Sequence, residues 1–406
     1  MTRIIRFLLS FIFALAFLLL SYWVTNLRFP LSGEKDLLSK LEFLRDYFRS
    51  RESNATDSVV FINLAYDKEL CPVMGDFDIP DGYLPVTNRK KLLDLLTYLK
   101  AANNYKYILL DVFFTGRVHT KWDEQLYETI LSMQRIVIPS HGNEAIADQR
   151  LMEKAGLADY LTTFSETDFV KYPYFSDEQK SLPVKMYEEV TGNTIVKHGL
   201  FYTDGMNLVR KCIVLTYDLR ADSFYSDDMQ PIWRNLGTGL LGDSIPGLGI
   251  GDNELYTNPY LVENKYVVIG SFQGDDTHST FAGEQSGSVI LFNAFISLLH
   301  GHHKFSVTFT GVLFLVFFFL CYMALSKKEI RKLIDNAPVS EQTNLFWKLL
   351  KTLNWLYSWI GLSVFLSLLC IATYFILDEA YDIFVTSTVF YVFNLFLNLG
   401  RRMVNN

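Results

Sequence analysis

Signatures of chemistry are scarce in these 406 residues. There is no GxSxG elbow, no HExxH helix, no P-loop and no nucleophile beside a base at a workable spacing, so the chain is expected not to be an enzyme. Cysteine is just as scarce. Four are present, with no CxxC and no Cys/His spacing that assembles a metal site, and no cofactor is expected. Cys321 and Cys370 fall in apolar stretches and read as buried apolar residues; Cys71 and Cys212 lie where a disulfide is chemically open but not decided by sequence. Positive charge is thin too. Lys and Arg number 37 against 44 Asp and Glu, a net of -7, and the excess of acid lies in the segment 28–304, which argues against nucleic acid or anionic lipid surfaces as its partners.

Hydrocarbon takes their place. Half of the residues are hydrophobic and 15% are aromatic, and four uncharged stretches stand out at 7–27, 305–326, 352–377 and 383–400. Each is about long enough to cross the roughly 30 Å of a bilayer's apolar core. Cytoplasmic flanks carry the excess of Lys and Arg, which assigns Arg3 and Arg6, the loop 327–351 and the tail 401–406 to the inside. The turn 378–382 has no Lys or Arg and suits the outside. Four crossings then leave both termini in the cytoplasm and residues 28–304 outside. That segment holds 27 basic against 38 acidic residues, a net of -11, and the remainder is +4. The first stretch reads as an uncleaved anchor, because the small residues Ala14 and Ala16 interrupt the apolar run instead of following it.

Within 28–304, apolar residues at Leu37, Leu38, Leu41, Leu44 and Phe48 recur at helical spacing over 35–50. Residues 59–65 read as a strand buried on both faces. A Pro/Gly-rich loop over 72–85 precedes a helix at 88–102, with Leu92, Leu93, Leu95, Leu96 and Leu99 on its apolar face, and a second buried strand at 107–113. Strand, helix and strand in this order predict a βαβ unit and a parallel pair. A helix at 123–133 and a strand at 135–139 extend the alternation. Residues 141–260 break it, holding one strand at 208–217, and read as an irregular insertion or second lobe. The pattern resumes with a strand at 266–270 and a helix at 286–300. The fold class is therefore an α/β extracytoplasmic domain with a mainly parallel sheet and an irregular insertion, plus four transmembrane α-helices.

Several residues in this order carry a resemblance: Asp67-Lys-Glu-Leu70 after the first strand, Arg89 opening the helix, and Ile108-Leu-Leu-Asp-Val-Phe113. Val268-Ile-Gly270, Asp276, Thr280, Gly287-Ser-Val289 and Asn293 continue it. Spread over 55–304 and followed by three apolar stretches, they resemble the CHASE domain of type two, an extracytoplasmic sensory domain of bacterial membrane receptors. The resemblance implies a periplasmic domain on the bacterial inner membrane and, by family analogy, a homodimer. Two departures stand out. Members usually continue into a cytoplasmic kinase or cyclase domain, whereas this chain stops at Asn406, and the family's Thr-Pro is here Thr280-Phe281.

Asp67, Asp111, Asp275 and Asp276 each fall at or just past the carboxyl end of a predicted strand, where open α/β sheets bind ligands. With Arg89 and His278 they make a candidate site for a small cationic or polar ligand. The same acids also suit helix caps and Asx-turns. Gly237, Gly239 and Gly242 match the dinucleotide fingerprint by letter, but no strand enters it and no helix leaves it. His300, His302 and His303 suit either a metal or an interfacial linker whose imidazoles face water. In the apolar stretches, Ser363 with Ser367 and Asn394 with Asn398 share helix faces suited to interhelical contacts. The expected function is a membrane sensor that detects a ligand or envelope protein outside and acts through a partner output protein in the membrane or cytoplasm; the alternative is an anchoring subunit of an envelope complex.

Overall fold

A computed structural model describes residues 2–27, 40–41, 58–65, 67–74, 80–142, 144–159, 170–176, 179–199, 201–215, 233–235, 262–272, 276–280, 283–335, 359–377, 387–393 and 395. In chain order its principal helices are α1 Arg3–Thr25, α2 Arg89–Ala102, α3 Asp123–Ser132, α4 Leu182–Thr191, α5 Gly287–Leu299, α6 Val307–Asp335 and α7 Trp359–Leu377. Its principal strands are β1 Val59–Asn63, β2 Lys68–Met74, β3 Pro80–Thr87, β4 Tyr107–Leu110, β5 Ile136–Ser140, β6 Ala155–Leu157, β7 Lys171–Pro173, β8 Ile195–His198, β9 Phe201–Asp204, β10 Asn207–Val209, β11 Cys212–Val214, β12 Trp233–Asn235, β13 Tyr266–Gly270, β14 Thr277–Thr280 and β15 Gly283–Ser286. Two compact units form: Met1–Phe48 with Lys304–Asn406, and Arg49–His303.

In the first unit α1 and α6 pack along each other through aromatic edges. Phe7 meets Phe318 at 5.2 Å, Phe11 meets Phe314 at 5.4 Å and Phe17 meets Phe317 at 5.8 Å between ring centroids. Among the described residues two helices, Arg3–Val24 and Val307–Ser326, are long and apolar enough to cross a membrane. Both leave large apolar side chains exposed, Ile12, Leu19 and Leu315 among them, as a lipid-facing surface does. The helix α6 runs nine residues past 326, into the segment read from sequence as a loop. Ser363 Oγ of α7 lies 3.3 Å from Ser387 Oγ, so the third and fourth apolar stretches do meet through a hydroxyl pair. Asn394 and Asn398 lie outside the described residues, as do most of the predicted helix over 35–50, Asp275 and the glycines from 237 to 251.

The second unit is built on a six-stranded parallel sheet in the order β12-β1-β13-β4-β5-β6. Its central strands are buried on both faces, which is why their sequences read as continuous apolar runs. On one face Val60, Ile62, Ile108, Leu110, Ile136 and Ile138 pack under α2 and α3. The apolar positions of α2 are all buried, each contributing about 1.5–3 kcal/mol. Asn88 caps this helix, accepting from Lys91 N at 3.0 Å, and Asn103 ends it in the left-handed region at φ 45. On the other face lie α4 and α5. Eleven of the 13 residues of α5 are buried, and Phe292 and Phe295 meet Tyr266 at the start of β13 in tilted and edge-on ring contacts.

Three expectations change. The first and second predicted strands are parallel but not neighbours, because β13 enters between them from beyond the insertion. The predicted strand over 208–217 is two, β10 and β11, with a break at Arg210 and Lys211. The supposedly irregular insertion supplies both edges of the sheet, β6 and β12, and the helix α4. Cys71 and Cys212 are both buried and are not joined to each other.

Candidate functional site

Helices that follow parallel strands bring their amino ends to the carboxyl edge of the sheet, and α5 does so directly over β13 and β4. Its Ser288 Oγ donates to Asp111 Oδ2 at 2.6 Å, tying the helix to the residue just past β4. The approach is close enough to require glycine at 270. A Cβ there would lie 2.0 Å from Ser288 Oγ and 3.2 Å from Asp111 Cβ. Gly287 is constrained in the same way, since its Cβ would sit 2.9 Å from both carboxylate oxygens of Asp276. The backbone closes this corner, with Gly287 N donating to Asp276 O at 3.1 Å.

Asp276 Oδ1 lies 3.2 Å from His278 Nε2, on the entry to the β14-β15 hairpin. Burial, and then the negative charge of Asp276, push the Asp111 carboxyl up to about 7; the Ser288 hydroxyl and the imidazoles of His141 and His278 oppose that rise. Three of the six candidates, Asp111, Asp276 and His278, therefore form one electrostatic group. His141 and Asp159 form its rim: His141 Nδ1 is 2.6 Å from Asp159 Oδ1, and Gly142 N donates to Asp159 Oδ2 at 2.7 Å. Sequence reasoning missed this pair and Ser288's contact. His141 lies just past the carboxyl end of β5, so the rule that selected Asp111 also reaches it.

Asp67 and Arg89 belong to a second group at the start of α2. Asp67 is buried, accepts from Lys91 Nζ at 3.0 Å and, through its carbonyl, from Asn88 N at 2.9 Å. Arg89 is 1% exposed. Its backbone N–H donates to Glu69 Oε1 at 2.8 Å, its Nε lies 3.6 Å from Asp123 Oδ1, and the guanidinium sits 4.6 Å over the Phe114 ring. Burial lowers its pKa, against the pull of Tyr127 and Asp123. These contacts fasten the β2-β3 hairpin and α3 to α2; the Asp67 side chain is occupied within the fold, whereas Arg89 Nε and Nη1 are buried without a hydrogen-bond partner among the described residues.

The first group can hold a cation or a hydrogen-bonding ligand against two carboxyl groups, and can release a proton when it does so. Among the described residues no three His, Cys, Asp or Glu side chains are arranged to hold a metal ion. His303, expected to face metal or water, does neither: it is fully buried, with Nε2 3.1 Å from Asp204 Oδ2, which also accepts from Tyr187 OH at 2.8 Å.

Compared with known proteins, the chain matches no family model, no curated protein and no solved structure.

Proposed function

We propose that this protein is a multi-pass sensor of the bacterial inner membrane, with the α/β unit outside and signal output carried by a partner protein. The observation that carries the reading is the course of α5. The helix begins under Asp276 with its Ser288 bound to Asp111, and the chain it ends in reaches Val307, the first residue of an apolar span, four residues after His303. A ligand that draws Asp111 and Asp276 together or apart acts on the first turn of a fully buried rod, and a packed rod transmits displacement instead of absorbing it. Asp111, Asp276 and His278 are the proposed ligand contacts. The resemblance to the CHASE domain of type two supports a sensory role and a homodimer, and the +4 charge outside 28–304 supports cytoplasmic ends and a cytoplasmic loop open to the partner.

A second reading has its own observation. Leu70 and Tyr83 on the β2-β3 hairpin are 71% and 68% exposed, which suits an anchoring subunit that grips another envelope protein.

Photo-crosslinking from 336–351 in native membranes, with deletion of the chain as the control, separates the two. The sensor reading expects a cross-linked kinase, cyclase or effector whose activity changes in the deletion strain. If no such protein is captured and no downstream activity changes, that reading is abandoned.

A further inference from the structure

The β8-β9-β10 sheet has one face in the core and one open. Residues opposite one another in a ladder share a face, so Ile195, Tyr202, Asp204 and Val209 point inward, and all four are buried. The alternate positions point outward. There Val196, Phe201 and Leu208 are 41%, 41% and 38% exposed, and Met206, at the turn joining β9 to β10, is fully exposed. Four large apolar side chains thus occupy one surface of a small antiparallel sheet, more than scattered exposure explains.

Two observations indicate what covers it. One is the position of the sheet. Tyr107, the first residue of β4, donates to Glu189 near the end of α4, and β8 begins by giving its Ile195 N–H to Glu188. The β8-β9-β10 sheet therefore lies at the amino edge of the parallel sheet, opposite the Asp111 and Asp276 group. At that edge Asp204 of β9 is bound to His303. From His303 to Val307 the backbone spans four residues, about 14 Å at full extension. The other observation is charge. In a segment of net -11, residues 195–209 contain one acid, Asp204, which is buried on the inward face, so the outward face carries no acid and His198 is exposed on it opposite Phe201.

We propose that this face docks on the bilayer surface, with Val196, Phe201, Met206 and Leu208 entering the headgroup boundary and His198, opposite Phe201 on the same face, meeting lipid phosphates. Apolar side chains with flanking bases bind interfaces in this way, and the short tether to an apolar span keeps the face at high local lipid concentration. The inference needs only that the chain is anchored in a membrane, and it stands whether or not the protein is a sensor.

The test uses the full chain, reconstituted in vesicles of phosphatidylethanolamine and phosphatidylglycerol, with a nitrobenzoxadiazole label on Met206→Cys or, as the control at the opposite edge, on Tyr83→Cys. Docking predicts a blue-shifted label at 206, quenched by headgroup-nitroxide lipids at least about twofold more than the label at 83, with the difference lost in the Phe201→Ser/Leu208→Ser background. Equal quenching at the two positions overturns the proposal. So does an unquenched label at 206 together with oxidative cross-linking of unlabelled Met206→Cys to 206 of a second copy, which assigns the face to self-association.

Discussion

Asp111 combines two unfavourable circumstances, burial and a neighbouring carboxylate, and its proton makes both tolerable. The folded protein holds that proton to about pH 7, whereas an ordinary aspartate in the unfolded chain loses it near 3.8. Between those values folding takes up a proton, so this residue's contribution to stability falls as pH rises and is fully lost above 7. Asp111→Asn keeps an acceptor for the Ser288 hydroxyl and removes the titration. Thermal melts of the full chain in detergent should show the variant more stable than wild type at pH 7.5, with the gain shrinking on acidification and gone below about pH 4. A gain that is constant across this range refutes the assignment. The pair was legible in sequence because carboxyl ends of parallel strands are places where open sheets collect ligands. The close approach at Gly270 was not, because it depends on a helix that returns to the site from the next stretch of chain.

Among the elements, α5 is the one whose two ends have different tasks. Its start is held by Ser288 and Gly287; its finish turns on Gly301, at φ 79, which lets His302 N reach Ser297 O at 3.0 Å and directs His303 into the core. There Asp204 is served by both His303 and Tyr187, so removing either donor leaves a buried carboxylate less satisfied. His303→Ala should cost about 3 kcal/mol of unfolding free energy and Tyr187→Phe about 1–2, read by urea titration of the full chain. If His303→Ala costs no more than a surface change, the clamp is not structural.

The same contrast explains what sequence conveyed about the elements. Helices α2, α3 and α5 and strands β1, β4, β5 and β13 carry enough residues for a period to show, and all were read correctly in place and type. The edge strands β6 and β12 have three residues each, too few for any period, and their membership depends on partners far along the chain. The His303 environment was unreadable for a similar reason. Three adjacent histidines suggest a shared surface, but the turn at Gly301 sends the last of them to a partner 99 residues away.

At the scale of the whole molecule, charge and hydropathy lead to one arrangement. The proposed arrangement puts the segment 28–304 outside, with the bases at 3, 6, 327, 328, 331, 332, 348, 351, 401 and 402, all close to the apolar stretches, on the cytoplasmic side. All four native cysteines are buried, so an introduced cysteine reports against a low background. A membrane-impermeant maleimide added to intact spheroplasts should label Tyr83→Cys and Lys197→Cys, and should label Ser340→Cys only after permeabilisation. The reverse pattern would place the α/β unit in the cytoplasm and remove the basis for an extracytoplasmic sensor. Labelling of Ser340→Cys without permeabilisation, beside labelled Tyr83→Cys, would mean that 327–351 shares a side with the α/β unit. The chain would then cross the membrane an even number of times between those points, and output by a cytoplasmic partner at 327–351 would be excluded.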